Sequence, residues 1–119
     1  MKIEEVFARR RFIMLDGAMG TQLQLRGLTT EQKPELAAFI MPDVLTAVHR
    51  DYARAGADIL LANTFGANPR KLKETGYTVQ QVIEASIACA RTAAQETGAL
   101  VALDIGPIGE PLAPAGPPP

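Results

Sequence analysis

Three polar side chains stand at the ends of short apolar runs. Phe12-Ile13-Met14-Leu15 leads into Asp16-Gly17, Ile59-Leu60-Leu61-Ala62 into Asn63-Thr64-Phe65-Gly66, and Leu100-Val101-Ala102-Leu103 into Asp104-Ile105-Gly106. A polar group at the carboxyl end of a buried parallel strand belongs to the rim where α/β proteins place their ligand chemistry. Asp16 offers a carboxylate to an ammonium group or a hydroxyl. The glycines of Asp16-Gly17-Ala18-Met19-Gly20-Thr21 let backbone approach a ligand, and amides at a helix start suit a carboxylate or phosphate. That pair of polarities matches a small zwitterion such as an amino acid. Asn63 and Thr64 add hydrogen bonds, Phe65 a pocket wall, and Asp104 a second carboxylate. Each also has a structural reading: Asp16 as a turn cap, Asn63-Thr64 as turn chemistry, Asp104 as a carboxylate bonding loop amides.

Other chemistries lack their residues. The glycine spacing is not the dinucleotide fingerprint, and no Gly-Lys-Ser/Thr follows it. His49 reads as a surface or half-buried structural histidine. Cys89 reads as a small core filler. One histidine and one cysteine cannot supply the ligands of a zinc site. A net charge of −1 leaves no electrostatic footprint for nucleic acid or an anionic membrane. Arg9-Arg10-Arg11, preceded by Glu4 and Glu5, reads as a solvated face. No apolar segment approaches the ~18 residues of a membrane span. The N-terminus lacks a signal-peptide pattern and the single cysteine has no internal disulfide partner, so a cytoplasmic setting is expected.

The elements that must position the rims form a βα repeat. A helix is expected over Met1–Arg11, with Ile3, Val6 and Phe7 on one face. Phe12–Leu15 lacks alternation, as a strand buried on both faces does. A short helix runs from Thr21 to Arg26 until Gly27 stops it, and Leu28–Phe39 reads as loop with a helical turn. Pro42–Ala55 is a helix: proline at the first position, Asp43 at the positive end of the dipole, and Leu45, Val48 and Tyr52 in a stripe. Gly56 ends it, and Asp58–Ala62 is the second strand. Thr78 and Gln81 make a capping box, with Tyr77 placed to staple against Val82. Val79, Val82, Ile83, Ile87 and Ala90 form the next buried stripe, and Gly98 precedes the third strand. The joints Gly56-Ala57-Asp58-Ile59-Leu60 and Gly98-Ala99-Leu100-Val101-Ala102 correspond in type. Each interval holds a right-handed crossover helix. Six of the nine prolines fall at Pro107, Pro111, Pro114 and Pro117 to Pro119, so an extended tail is expected. With 47% apolar residues in 119, one modest packed unit is affordable, assigned to residues 1–113, with a proline-rich tail over 114–119.

In order and spacing the three rims resemble the homocysteine S-methyltransferase family. The likeness is strongest to the homocysteine-binding module that opens cobalamin-dependent methionine synthases. It rests on Leu15-Asp16-Gly17-Ala18-Met19-Gly20-Thr21, Ala62-Asn63-Thr64-Phe65-Gly66-Ala67-Asn68 and Asp104-Ile105-Gly106-Pro107-Ile108-Gly109, supported by Pro42-Asp43-Val44 and Val48-His49-Arg50. It implies an α/β fold, the N-terminal part of a (β/α)8 TIM barrel with about three parallel strands and their helices. It implies methyl transfer to the zinc-activated thiolate of homocysteine, giving methionine. In that family three cysteines hold the zinc. A free thiol with a pKa near ~8.5 is mostly protonated at neutral pH, and the metal turns it into the attacking thiolate. The donor is methylcobalamin, betaine or S-methylmethionine, and cobalamin and methyltetrahydrofolate act through other modules. Carried over, Asp16 lies near the substrate amino group, and the Gly17-Ala18 backbone approaches its carboxylate. Asn63, Thr64 and Phe65 line the pocket, and Asp104 supports its floor.

The sequence also departs from the family. The zinc cysteines belong to later strands and Cys89 is not among them. Ile108 stands where threonine is frequent, Ala37-Ala38-Phe39 where asparagine is common, and the proline-rich ending has no counterpart. The resemblance therefore implies a chain inactive by itself, with exposed strand edges that remaining barrel segments or other methionine synthase modules would cover. Two rival readings stay open: another (β/α)-barrel enzyme, aldolase-like or phosphate-binding, and a non-catalytic binding module.

Overall fold

The computed structural model describes residues 2–9 and 12–108. Its elements are α1 (Ile3–Arg9), α2 (Gly20–Leu25), a 3-10 turn (Pro34–Leu36), α3 (Ala37–Ile40), α4 (Pro42–Arg54), β1 (Ile59–Leu61), α5 (Val79–Ala94) and β2 (Leu100–Ala102). Arg10 and Arg11 of the basic cluster, Gly109, the prolines from Pro111 onward and the boundary at residue 113 lie outside the described residues. No helix among those described is long and apolar enough to cross a membrane.

β1 and β2 pair in parallel, with Ile59 opposite Leu100, Leu60 opposite Val101 and Leu61 opposite Ala102. The expected first strand, Phe12–Leu15, is shorter than its apolar run. It touches β1 through one parallel bridge, Leu15 to Ile59. Side chains explain why. A parallel ladder continued past this bridge would give the Leu61 amide to the Asp16 carbonyl. Instead Leu61 N–H donates to the Asp16 carboxylate (Oδ2) at 3.1 Å. At the other end, Met14 N–H donates to Asp58 Oδ2 at 2.9 Å, where a ladder would use the Ala57 carbonyl. A carboxylate closes the pairing at each end. Three parallel segments result, with β1 in the middle.

The helices form where their signals lie. In α4, Pro42 occupies the first turn and Asp43 the positive end of the dipole, and Leu45, Val48 and Ala53 are buried. Gly56 follows at φ 115°, a left-handed conformation that glycine adopts without strain. In α5, Thr78 and Gln81 form the reciprocal capping box, at 3.1 and 2.9 Å. Tyr77 stacks on Phe39 with ring centroids 4.1 Å apart, which joins the start of α5 to α3. Two apolar clusters hold the layers together. Leu23, Leu28, Ala37, Ala38, Leu45 and Val48 pack among the helices. Ala53, Leu60, Ala93 and Ala94 pack β1 against α4 and α5.

Four details differ from expectation. Of the expected α1 face only Val6 is buried, while Ile3 and Phe7 are exposed; Met1, Arg10 and Arg11 of the expected helix lie outside the described residues. The Leu28–Phe39 loop contains both the 3-10 turn and the start of α3. In α5 the fully buried set is Val82, Ser86, Ala90, Ala93 and Ala94, so small residues carry the contact that Val79, Ile83 and Ile87 share only partly. His49 is neither at the surface nor half-buried: it is wholly buried, and neither ring nitrogen has a partner within the protein.

Burial pushes the His49 imidazole down to about 4, from the usual 6.5. The unfolded chain binds a proton below pH 6.5 that the folded chain refuses until about pH 4. The stability this group leaves intact above pH 6.5 is therefore lost as pH falls, and the loss levels off below pH 4. Between pH 7 and pH 5 the loss from this residue is about 2 kcal/mol. Urea denaturation at both pH values is expected to show it in the wild type. His49→Leu is expected to remove that increment, and an equal pH response in both proteins would contradict the assignment.

Candidate functional site

Asp16, Asn63 and Asp104 reach the same end of the parallel segments. They line one cleft of about 400 Å³ together with Gly17, Ala18, Phe65, Glu35 and Lys71. The first rim is built around Asp16. It does not cap α2, which begins after Met19 without a side-chain cap. Oδ2 is fixed by the Leu61 amide, whereas Oδ1 is buried with no partner in the protein. Burial raises the Asp16 carboxyl above the ordinary carboxylate range. The Leu61 amide opposes that shift, and the Asp104 charge adds to it. The Gly17-Ala18 backbone beside it is held from behind by α4. Tyr52 donates its hydroxyl to the Ala18 carbonyl at 2.7 Å. A side chain at Gly17 would meet the Tyr52 ring and hydroxyl at 3.0–3.3 Å, so glycine permits this close seating.

The second and third rims are joined. Asn63 donates its side-chain amide to the Pro34 carbonyl at 2.7 Å, which draws the 3-10 turn over the cleft. Thr64, expected in the pocket lining, does not line this cleft. It is buried, its Oγ1 donates to the Asp104 carbonyl at 2.7 Å, and it accepts the Asp104 amide at 3.0 Å. Thr64 is a clamp between the two loops, and its bonds commit the Asp104 backbone, while Asp104 lines the cleft. Phe65 lines the cleft. It separates the cleft from a second, smaller one of about 270 Å³, lined by Thr64, Asn68, Ile83, Leu103 and Ile105 among others. Gly106 packs directly on Phe65: a Cβ there would fall against the Phe65 carbonyl and 2.8 Å from its ring.

The sequence reading missed Glu35, Lys71 and Tyr52. Glu35 arrives on the 3-10 turn, its carboxyl 2.7–3.0 Å from where a Gly66 side chain would stand. Lys71 follows the Asn68 turn and places its ammonium 5.3 Å from the Phe65 ring centroid. Both lie in segments without periodicity, so only the fold brings them to the rim. The Tyr52 position in the α4 stripe signalled burial but not its bond to Ala18. Among the described residues no group of three histidine, cysteine, aspartate or glutamate side chains is placed to hold a metal. Cys89 is half-buried on α5, with its sulfur 3.9 Å from the Pro42 carbonyl, away from the cleft lining.

A family model described as homocysteine S-methyltransferase matches residues 13–119. Methionine synthase of Mycobacterium tuberculosis (strain ATCC 25618 / H37Rv) is 38% identical over 97 residues, covering 75% of this chain and 8% of that protein. Homocysteine S-methyltransferase of Escherichia coli (strain K12) is 31% identical over 118 residues, covering 88% and 38%. The metallated form of the homocysteine methyltransferase MmuM from Escherichia coli superposes with a TM-score of 0.79 at 28% identity. That match covers 90% of this chain and 42% of the other. The chain thus spans less than half the length of each of these relatives.

Substitutions at two positions probe the site's architecture. Asp16→Ala strands the Leu61 amide and is expected to lower stability by about 1–3 kcal/mol, whereas Asp16→Asn keeps an acceptor and is expected not to. Gly106→Ala drives a Cβ into backbone and is expected to lower stability by about 1–3 kcal/mol. Urea midpoints of the three variants check both statements. Equal behaviour of the alanine and asparagine variants at Asp16 would contradict the first, and a wild-type midpoint for Gly106→Ala the second.

Proposed function

The chain belongs to the homocysteine S-methyltransferase family, and on that footing we propose that its cleft receives the amino-acid end of homocysteine for methyl transfer to the thiol. The observation that carries this reading is the buried, unpartnered Oδ1 of Asp16 beside Asp104. A carboxylate oxygen removed from water without a donor is unfavourable, and an α-ammonium group supplies the missing donor and charge together. Burial and the Asp104 charge both hold the Asp16 carboxyl up, and an entering cation offsets both. The Gly17-Ala18 backbone, seated on Tyr52, lies on the same cleft for the carboxylate end, and Phe65 bounds the space left for the aliphatic stem.

The thiol needs activation before it can attack a methyl donor, because a free thiol is mostly protonated at neutral pH. The described residues do not fit the zinc ion that the family implies. Cys89 points elsewhere, and no alternative ligand group is present among them. The chemistry assigned to these residues therefore ends at binding and orienting the amino acid, with activation supplied from outside them. The three parallel segments fit the opening strands of a (β/α)8 barrel, with β1 covered on both sides and the Leu15 segment and β2 at the edges. Cobalamin and methyltetrahydrofolate modules, as donor partners, and a cytoplasmic setting belong to the same proposal.

Titration of the 119-residue chain with homocysteine, followed by calorimetry or ligand-detected NMR, tests it. Saturable binding is expected, weakened roughly ten- to a hundred-fold by Asp16→Asn as a charge-assisted bond is lost. Absence of binding, or binding indifferent to Asp16, would overturn the reading.

A further inference from the structure

We propose that Lys71 is the carboxylate anchor of this cleft, and hence the residue that selects an α-amino acid over a simple aminothiol. The inference rests on the reading of the cleft as an amino-acid site. Among the described residues the lining contains Asp16, Glu35 and Asp104 and one cationic residue, Lys71. A ligand carrying only positive charge could be held by the acids alone. A zwitterion brings its own carboxylate into an acidic cleft, and only a formal positive charge there offsets the repulsion. The Gly17-Ala18 backbone contributes partial charges at most.

Lys71 is built for this task. Its root is fixed on both sides: its amide donates to Asn68 Oδ1 at 2.9 Å, and its carbonyl accepts from Lys33 Nζ at 2.9 Å. Leu72, next in sequence, is buried. The four-carbon stem then carries the ammonium to the wall, 5.3 Å from the Phe65 ring centroid. Ion pairs among the described residues join Arg26 to Asp51 and Arg54 to Glu96, and no carboxylate among the described residues holds the Lys71 ammonium. A half-buried cation that rests on an aromatic face, with acids nearby but none bonded to it, keeps its three donors for a ligand. Asp16 and Asp104 take the ammonium end, and Lys71 adds a formal positive charge to the Gly17-Ala18 backbone for the carboxylate end.

The test is a ligand-by-variant square on the 119-residue chain. Wild type, Lys71→Met and Lys71→Arg are titrated with homocysteine and with the decarboxylated aminothiol of the same chain length. The wild type is expected to prefer homocysteine by about ten-fold, the weight of one charged hydrogen bond. Lys71→Met is expected to lose that preference by weakening homocysteine alone, and Lys71→Arg to retain most of it. Equal affinity of the wild type for both ligands, or a preference that survives in Lys71→Met, would overturn the assignment. Equal weakening of both ligands by Lys71→Met would do the same. Thermal transitions confirm folding, and Lys71→Gln replaces the methionine variant if that one does not fold. Failure of the wild type to bind either ligand is a different result: it sinks the amino-acid reading of the cleft, and the role of Lys71 with it.

Discussion

The bond between the Leu61 amide and the Asp16 carboxylate is the constraint on which the site depends. It ends the pairing of the first segment with β1 at the level where Leu61 also faces Ala102 across the sheet. The three chain directions agree, so all three exits open on one side. If the ladder had run one step further through backbone, Asp16 would have remained a side chain of the strand. Because the side chain itself takes the Leu61 amide, the backbone is released to turn at Gly17 and the carboxylate stays at the rim. Asp58 performs the matching operation at the opposite end through the Met14 amide. Strand length is set here by two acids rather than by the extent of apolar sequence.

That explains which parts of the fold were legible beforehand. Pattern and punctuation located α4 and α5: Pro42, Gly56, the Thr78–Gln81 box and the apolar stripes are local signals with local causes. The convergence of Asp16, Asn63 and Asp104 was also legible, because a polar residue closing a buried parallel strand has few other places to point. What escaped was tertiary. The apolar run Phe12–Leu15 gave no sign that carboxylates would replace the ladder at both ends. Thr64 looks like a ligand-facing hydroxyl in sequence, yet it is spent on both backbone groups of Asp104. Glu35 and Lys71 come from stretches without period and reach the cleft only after the 3-10 turn and the Asn68 turn are in place.

The interior makes a similar point. A histidine one position off an apolar stripe suggests a polar margin, but the packing of α4 encloses it and leaves both nitrogens bare. Ser86, also enclosed without a partner, stands on the buried face of α5. Small side chains at Ser86, Ala90, Ala93 and Ala94 give α5 a flat face toward the layers beneath it. Close approach of elements is gained there with little apolar volume, and Ala93 and Ala94 use it to pack α5 on Leu60 and Ala53.

One oxygen of Asp16 is tethered and the other is bare, and this asymmetry has a thermodynamic meaning. A side chain already anchored at one end has given up its rotation during folding, before any ligand arrives. Its unused lone pairs point in a fixed direction, so a guest meets an acceptor that need not be searched for or immobilised, and the entropic penalty of association shrinks accordingly. The same tether forbids the carboxylate from swinging to follow a misplaced guest. Discrimination by position is thereby written into the backbone geometry of a neighbouring strand.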